Sequence, residues 1–177
     1  MNAQPLPDIS VVVPVHDEAG AAVALAREIA EAFAGRSFEM IFVDDASRDD
    51  TLDELKAAMA ELPMLRVLAH STNAGQSRAV RTGVLAARAP IVVTMDGDGQ
   101  NPPADAPRLV DALAAAPADV ALVGGRRRLG GHRRVALDRV AAVHPAQHLG
   151  GRLQLVAVQQ VNGHVLALQR LGRLAGT

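Results

Sequence analysis

The sequence has no cysteine, tryptophan or tyrosine, and only three of its 177 residues are phenylalanine. Without cysteine, the chain can form neither a disulfide framework nor a thiolate metal site, and a reducing cytoplasm fits this composition best. Alanine, valine and leucine supply nearly all of the apolar residues, which make up 49% of the chain. A chain of this length is the size of one domain and can bury a sizeable core.

Two kinds of hydrophobic segment are also missing from the sequence. Residues 1–5 do not form the basic region followed by an apolar stretch that defines a secretory signal. No apolar run reaches the roughly 18 residues needed to span a bilayer. The most apolar late stretch, residues 153–168, is interrupted by glutamine, asparagine, glycine and histidine. We therefore expect a cytoplasmic protein with neither a signal peptide nor a transmembrane segment.

Charge of both signs is present, but it is unevenly distributed. The net charge is −1, yet residues 1–125 carry 18 acidic residues against 9 lysines and arginines, whereas residues 126–177 carry 9 arginines and one acid, Asp138. Such a split can indicate a basic tail that faces a membrane surface or nucleic acid. It can also mean that the two parts have different origins.

Short β-rich apolar runs alternate with helical patterns between residues 9 and 123. Helical spacing predicts four helices, the second capped by Asp49 or Asp50 and the third covering residues 76–88. Strands that alternate with crossover helices predict an α/β fold, with a mostly parallel sheet covered by helices on both faces. In such sheets, ligands bind beyond the carboxyl ends of the strands. The predicted strands are residues 9–13, 38–43, 65–69, 91–95 and 119–123.

The segment Asp96-Gly97-Asp98-Gly99-Gln100 follows the fourth predicted strand. Asp96 and Asp98 can converge, because side chains at i and i+2 of an extended segment point the same way, and the glycines allow a tight turn. Two carboxylates and an amide oxygen suit Mg²⁺ or Mn²⁺, and Mg²⁺ usually binds one or two carboxylates together with substrate phosphates. The alternative is an acidic turn that caps the next helix.

Polar segments also follow the first two predicted strands, at residues 14–18 and 44–51. Capping of the next helix would explain several acids and hydroxyls of residues 44–51. Two adjacent carboxylates, Asp44 and Asp45, at the end of a buried strand are costly to desolvate unless something binds them. A nucleobase N–H or a ribose hydroxyl would be a suitable partner.

Two basic residues lie where they could meet a phosphate. Arg78 is in the first turn of the third predicted helix, whose backbone N–H groups favour anions. The alternative there is an Asn-Gly turn with Ser77 as the cap. Arg126 follows Gly124-Gly125 and could direct a guanidinium at a diphosphate. With Arg127 and Arg128, it could equally form a solvated basic patch.

Taken together, these segments resemble the family 2 glycosyltransferases, and within them the dolichol-phosphate mannosyltransferase-like branch. The resemblance covers residues 8–128, and the order and spacing of the motifs match as well as their residues. The matching segments are Val12-Val13-Pro14-Val15-His16-Asp17-Glu18, Val43-Asp44-Asp45-Ala46-Ser47 with Asp50-Thr51, Asn73-Ala74-Gly75-Gln76-Ser77, and residues 95–103, which read Met-Asp-Gly-Asp-Gly-Gln-Asn-Pro-Pro.

The resemblance implies a GT-A fold and inverting transfer of a sugar from a nucleotide diphosphate-sugar, GDP-mannose or a UDP-sugar. It implies a polyprenyl-phosphate acceptor, a role in cell-envelope glycan biosynthesis, a peripheral position at the inner face of the plasma membrane and no nucleic-acid partner. Asp98 and Gln100 would bind Mg²⁺ or Mn²⁺, Asp96 and Asp98 would be catalytic, and Asp45 would hold the base. The nucleotide-sugar-binding residues would be Pro14, Asp17, Glu18, Asp45, Arg78, Asp96 and Arg126.

The family pattern stops after Arg128, because residues 129–177 contain no cysteine, lysine or aromatic residue where the branch has a characteristic acceptor-side continuation. We therefore divide the chain into a nucleotide-sugar-binding domain, residues 1–128, and an atypical or truncated tail, residues 129–177. One hypothesis is a reading-frame shift near residue 128, which sequencing of the coding DNA would test. The other is a divergent arginine-rich tail that packs weakly or binds membrane phosphates.

Three functions remain open at this point. The first is a metal-dependent glycosyltransferase. The second is a truncated, catalytically impaired domain that binds a nucleotide sugar without transferring it. The third is a nucleotidyltransferase, which the absence of a glycine-rich, lysine-bearing loop after the first strand disfavours. A Rossmann dehydrogenase is disfavoured because no G-x-G-x-x-G follows that strand.

Overall fold

The computed structural model describes residues 5–99 and 102–115, together with the backbone of residues 122–126, 138–139 and 164–169. A single turn of 3₁₀ helix, Pro103–Asp105, precedes the last helix. The elements in chain order are β1 (Ile9–Val15), α1 (Ala21–Ala32), β2 (Phe38–Asp44), α2 (Thr51–Ala58), β3 (Leu65–Ala69), α3 (Gln76–Ala86), β4 (Ile91–Thr94), α4 (Ala106–Ala114), β5 (Leu122–Arg126), β6 (Asp138–Arg139) and β7 (His164–Gln169).

The strands form one sheet in the order β3-β2-β1-β4-β7-β5-β6. Strand β1 pairs in parallel with β2 and β4, and β2 pairs in parallel with β3. Strand β7 is antiparallel to both β4 and β5, and β6 is antiparallel to β5. The predicted α/β fold is confirmed, since its first four strands form a parallel sheet.

The core lies on both faces of this sheet because successive side chains of a strand point to opposite faces. Val11 and Val13 of β1 pack with buried residues of α1, α2 and α4, whereas Val12 packs with buried residues of α3. A strand buried on both faces needs a continuous apolar run. Such a run is what Val11, Val12 and Val13 supply, whereas the buried Ser10 finds a hydrogen-bond partner.

Strand β1 continues through Pro14 to Val15, although the sequence predicted that Pro14 would end it. The Val12 carbonyl accepts a hydrogen bond from the Met95 N–H, so Val12 faces β4. The backbone nitrogen of Pro14, two residues later, also faces the β4 side, but the pairing of β1 with β4 ends at Val12. The missing proline N–H therefore breaks no ladder hydrogen bond.

Helix α3 ends at Ala86, before the predicted residue 88. The apolar spacing of Leu52, Leu55, Met59 and Leu62 predicts a longer α2, but α2 ends at Ala58, and Met59 beyond it is 42% exposed. After α3 the backbone of Ala87 is extended. This conformation places the Arg88 nitrogen 2.7 Å from Glu39 Oε1, to which its N–H donates. That contact replaces a further helical turn.

The segment predicted as a separate tail contributes strands to the sheet. Residues 164–169 form β7 between β4 and β5, and residues 138–139 form β6 at the edge. Most of residues 129–177 lie outside the described residues, so the division at residue 128 stays a prediction. Strand β5 extends through Gly124 and Gly125 to Arg126, whereas the sequence predicted that this strand would end at Val123.

Glu39 is buried in β2 at the amino edge of the sheet, at the position paired with Ser10 of β1. Its Oε1 accepts hydrogen bonds from Ser10 Oγ and the Arg88 N–H, both at 2.7 Å. Its Oε2 lies 2.7 Å from Arg66 Nη1, which also donates to the Ala86 carbonyl. This network ties β1, β2, β3 and the segment after α3 together, and the sequence pattern did not predict it.

We expect Glu39→Ala to lower the free energy of unfolding by about 3 kcal/mol, because it leaves a partly buried arginine and two buried donors without their acceptor. Urea denaturation followed by circular dichroism measures the loss. Glu61→Ala is the matched control, since Glu61 pairs with Arg27 on an exposed surface, and it should cost less than about 1 kcal/mol. Equal losses in the two variants would contradict the buried-network interpretation.

Candidate functional site

A cleft of about 460 Å³ opens at the carboxyl edge of the parallel strands. It lies where the chain leaves β1, β2 and β4 and enters α3, as expected for ligand sites in open α/β sheets. Its walls are built by Pro14, Val15, His16, Glu18, Asp45, Asn73, Gly75, Gln76, Asp96, Gly97 and Asp98. The three polar strand ends that the sequence singled out therefore meet in one place.

The Asp96–Asp98 segment is held close against the end of β1. A Cβ atom on Gly97 would lie 2.6 Å from the Pro14 carbonyl oxygen and 2.8 Å from Val15 Cγ1. Because a backbone oxygen cannot move aside cheaply, only glycine allows this approach. Asp98 is exposed on the cleft wall, and half-buried Asp96 accepts a hydrogen bond from Gln76 Nε2 at 2.7 Å.

The loop after β1 is tied to the loop after β2 by its backbone. The N–H groups of residues 17–20 donate in succession to side-chain oxygens of Ser47, Thr51, Asp49 and Glu54, at 3.0, 2.8, 3.0 and 2.6 Å. The acids and hydroxyls of residues 47–54 thus fix the cleft wall. At the start of α2, the Thr51 N–H is bound by Asp49, while Asp50 makes no side-chain capping bond.

Asp17 and Glu18 take different positions in this loop. Glu18 lines the cleft, whereas Asp17 Oδ1 accepts a hydrogen bond from the Arg48 N–H at 2.7 Å and Asp17 is not among the lining residues. Asp17 has a positive φ of 54°, a strained conformation for a residue with a side chain. Its hydrogen bonds to Ser47 and Arg48 hold that conformation in place.

Asp45 is buried and joins the end of β2 to the loop before α3. Its Oδ1 accepts from the Ala74 N–H at 2.9 Å and lies 2.7 Å from His70 Nδ1, and its Oδ2 accepts from the Gly75 N–H at 2.7 Å. Gly75 has a φ of +87°, which favours glycine. The N–H groups of Ala74 and Gly75, just before α3, therefore bind an anion from the protein itself, the carboxylate of Asp45.

Burial alone would raise the pKa of Asp45, but the hydrogen bonds from Ala74, His70 and Gly75 outweigh it and hold the pKa below its ordinary value. Its neighbour Asp44 is also buried, with Oδ2 accepting from the Ser47 N–H at 3.2 Å. Asp44 Oδ1 and His16 Nδ1 are buried polar atoms without a hydrogen-bond partner in the described part of the chain.

Of the remaining predicted site residues, the structure describes the side chain of Arg78, which does not line the cleft. Arg78 is exposed and lines a neighbouring cavity, together with Arg81 and Thr82 of α3. Gln100 lies outside the described residues, as does the side chain of Arg126.

Sequence reasoning missed three side chains of the site. His16 and Gln76 line the cleft, and His70 links Asp45 to Thr82 Oγ1, its Nε2 lying 2.9 Å from that oxygen. The six histidines are scattered along the sequence and form no ligand pattern, and the His70–Asp45 contact joins residues 25 apart, so it leaves no local signal. Gln76 could have been found, because it belongs to the Asn-Ala-Gly-Gln-Ser motif.

The sequence model of glycosyl transferase family 2 matches residues 10–165. The chain belongs to glycosyl transferase family 2. The match extends beyond the residues 8–128 that carried the resemblance, and it argues against the nucleotidyltransferase interpretation. This family 2 chain is therefore similar over most of its length to enzymes that transfer sugars.

The chain is also similar to curated transferases. The chain is 41% identical over 118 residues to an undecaprenyl-phosphate 4-deoxy-4-formamido-L-arabinose transferase of Pseudomonas paraeruginosa, covering 64% of this chain and 34% of that protein. It is 36% identical over 110 residues to the transferase of the same name from Klebsiella pneumoniae, covering 60% and 34%. The chain thus spans about a third of the length of these relatives.

Solved structures confirm the GT-A fold of the family 2 chain. The mannosyltransferase PcManGT from Pyrobaculum calidifontis, in complex with GDP-Man and Mn²⁺, matches with a TM-score of 0.59 and 24% identity, over 70% of this chain and 36% of that one. TarS from S. aureus, in complex with UDP, matches with a TM-score of 0.50 and 25% identity, over 60% and 33%.

Two features are absent from the described residues of the family 2 chain. No helix among them has the length and apolar character needed to cross a membrane. Those residues also contain no group of three or more histidine, aspartate or glutamate side chains that could hold a metal ion. The cleft offers Asp96 and Asp98 as a pair of carboxylates on one segment, with Glu18 and Asp45 on its other walls.

We expect the stability difference between the wild type and Asp45→Asn to shrink as the pH falls. Because the folded-state pKa of Asp45 is lowered, its contribution is complete above its ordinary pKa and is lost as the pH falls through the folded-state value. At pH 7 the variant should lose about 1–3 kcal/mol, since an amide cannot replace both acceptor oxygens. Urea denaturation at several pH values between 7 and 3 measures this difference.

Asp53→Asn is the control for this pH series, because Asp53 is exposed on α2 and pairs only with Lys56 at 3.7 Å. Its difference from the wild type should be small at every pH. A difference for Asp45→Asn that stays constant or widens toward acid pH would contradict the assignment of the lowered pKa.

Proposed function

We propose that this family 2 chain binds a nucleoside diphosphate-sugar in the cleft and presents it, with Mg²⁺ or Mn²⁺, for transfer of the sugar. The observation that carries the proposal is the meeting of Pro14, Glu18, Asp45, Asp96 and Asp98 on the walls of one cleft. These residues come from three separate strand ends. Helix capping explains an acidic turn at one strand end, but not the convergence of three.

Each wall suits a different part of the donor. Asp45, held rigid by two backbone N–H groups and His70, has a lone pair left on Oδ2 that can accept from a nucleobase N–H. Pro14 and Glu18 flank the nucleotide, and Asp96 lies toward the sugar. Asp17 acts indirectly, because its carboxylate holds the loop that carries Glu18.

The two carboxylates at residues 96 and 98 fit a divalent cation that arrives with a nucleotide. Hard oxygen ligands suit Mg²⁺ and Mn²⁺, and Mg²⁺ is usually held by one or two carboxylates plus substrate phosphates. Asp98 would bind the metal, Gln100 would add an amide oxygen, and Arg126 would face the diphosphate. On the same fold, the Pyrobaculum mannosyltransferase holds GDP-Man with Mn²⁺.

The reaction that this arrangement supports is inverting transfer. An acceptor oxygen would attack the anomeric carbon as the bond to the diphosphate oxygen breaks, and the nucleoside diphosphate would leave. A bound metal supplies a Lewis acid that neutralises the charge on the leaving group. Asp96 would position the sugar and Asp98 would position the diphosphate.

A polyprenyl phosphate is the acceptor class that we propose. The curated relatives are named for transfer to undecaprenyl phosphate. A phosphate oxygen is already an anionic nucleophile, so it needs little help from a general base. This acceptor would place the protein at the inner face of the plasma membrane during the reaction and would give it a role in cell-envelope glycan synthesis.

One observation favours a second function, binding of the donor without transfer. Residues 129–177 contain no cysteine, lysine or aromatic residue, although the acceptor side of the branch typically has them. On this alternative, residues 1–128 form a donor-binding domain. Radiolabelled transfer from GDP-mannose or a UDP-sugar to a polyprenyl phosphate, run beside calorimetry with GDP and UDP, separates the two functions.

We expect Asp98→Asn to weaken metal-dependent nucleotide binding at least tenfold while leaving the fold unchanged. The amide keeps the size of the side chain but loses the charge that holds the cation. Calorimetric titration of GDP and UDP, with and without Mn²⁺, measures the effect. Asp53→Asn, on an exposed surface of α2, is the matched control, and an unchanged Mn²⁺-dependent affinity in Asp98→Asn would remove the metal site from the proposal.

Gly97→Ala should also lower metal-dependent nucleotide affinity, by about tenfold or more, although it removes no polar group. The added methyl would collide with the Pro14 carbonyl and Val15. The segment that carries Asp96 and Asp98 would therefore shift away from the end of β1. Gly99→Ala is the control for an added methyl, because a Cβ there meets no atom within 4 Å, although its φ of +69° carries some strain. If the two variants bound GDP and UDP equally, the close approach at Gly97 would not matter for binding.

A further inference from the structure

A second cavity of about 750 Å³ adjoins the cleft and shares no lining residue with it. It lies at the end of β3, against the first turns of α3. Its volume is within the range typical of small-molecule sites. Besides two alanines, it is lined by His70, Ser71, Thr72, Arg78, Arg81 and Thr82.

The lining of this cavity carries positive charge and no carboxylate. Arg78 and Arg81 are three residues apart on α3, so their side chains lie next to each other on one face of the helix. Among the other arginines of the described residues, Arg27, Arg36 and Arg66 pair with acids, whereas Arg48, Arg88 and Arg108 do not. Across residues 5–99 and 102–115, neither Arg78 nor Arg81 forms an ion pair.

The polar neighbours of the two arginines also suit an anion. Ser71 and Thr72 are exposed at the cavity and supply hydroxyl donors. The ring of His70 is already held between Asp45 and Thr82, so it forms a fixed wall. A guanidinium binds a phosphate group through two parallel N–H donors, and two guanidinium groups can surround one.

We infer that this cavity is a second ligand site, distinct from the donor cleft, which binds a phosphate group between Arg78 and Arg81. Neither arginine is needed to balance an acid of the described fold, and both face a concave surface with hydroxyl donors. The site does not require the metal or the carboxylates of the cleft. Arg78 was expected at the donor phosphates, and the structure assigns it to this neighbouring cavity.

The phosphate could belong to a free anion or to a lipid. Leu85 lies four residues after Arg81 on α3 and is 50% exposed. It therefore continues the face of the helix that carries the arginines. A phosphate with a prenyl chain could place its head group between the arginines and its first carbons against Leu85.

The test is a titration of the full chain with inorganic phosphate, in metal-free buffer containing EDTA, followed by two-dimensional NMR. We expect saturable shifts at the amides of residues 71, 72, 81 and 82, and a dissociation constant at least tenfold weaker in the double variant Arg78→Gln/Arg81→Gln. Both arginines are exposed, so the variant should fold, which circular dichroism checks. Arg108→Gln, an exposed arginine of α4 on the opposite face of the sheet, should bind phosphate like the wild type.

Unchanged affinity in the double variant would overturn the inference, and so would equal weakening by Arg108→Gln. Loss of phosphate binding in Asp98→Asn would place the anion in the cleft and overturn it too. Titration with geranyl phosphate identifies the source. Tighter binding than inorganic phosphate, reduced by Leu85→Gln, would indicate a lipid phosphate, and equal binding would indicate a free anion, each with the same dependence on the two arginines.

Discussion

The carboxylate of Asp45 is the contact on which the candidate site depends. It accepts hydrogen bonds from the N–H groups of Ala74 and Gly75, and so fixes the end of β2 against the start of α3. His70 links Asp45 to Thr82 of α3 through its two ring nitrogens. The wall formed by residues 73–76 is positioned by these bonds, and it borders both the cleft and the arginine-lined cavity. A buried carboxylate is stable here because several donors satisfy it, which is the usual condition for burying charge.

Backbone contacts hold the other walls of the cleft in place. Four successive N–H groups after β1 are bound by side chains of residues 47–54, and Gly97 lets the Asp96–Asp98 turn rest on the Pro14 carbonyl. Both features hold functional groups through short, inflexible connections. Ligand sites built in this way lose little entropy when they bind, because the protein is already ordered.

The fold and the motif positions could be predicted from the sequence, since both follow from local signals. Alternating apolar strands and helical stripes indicated a parallel sheet, and polar residues at three strand ends indicated its carboxyl edge. The individual contacts could not be predicted, because they join residues far apart in sequence. Asp17 was expected at the nucleotide and binds Arg48, and Arg78 was expected at the donor phosphates and lines another cavity. The Glu39 network also joins four separate segments, so no single sequence window contains its pattern.

The proposed mode of donor binding follows from the number of ligands. Two carboxylates in a cleft open to water hold a divalent cation weakly, since a cation held by few protein ligands keeps most of its hydration shell. A nucleoside diphosphate supplies the missing oxygens and carries the negative charge that the cation neutralises. The metal and the nucleotide should therefore each raise the affinity of the other, by the same factor in both directions. On the proposed mode of binding, the cleft would select a metal–diphosphate pair through Asp98, and Asp45 would bind the base at its other end. Recognition of the donor would thereby be divided between two strand ends, and the loss of either should weaken binding.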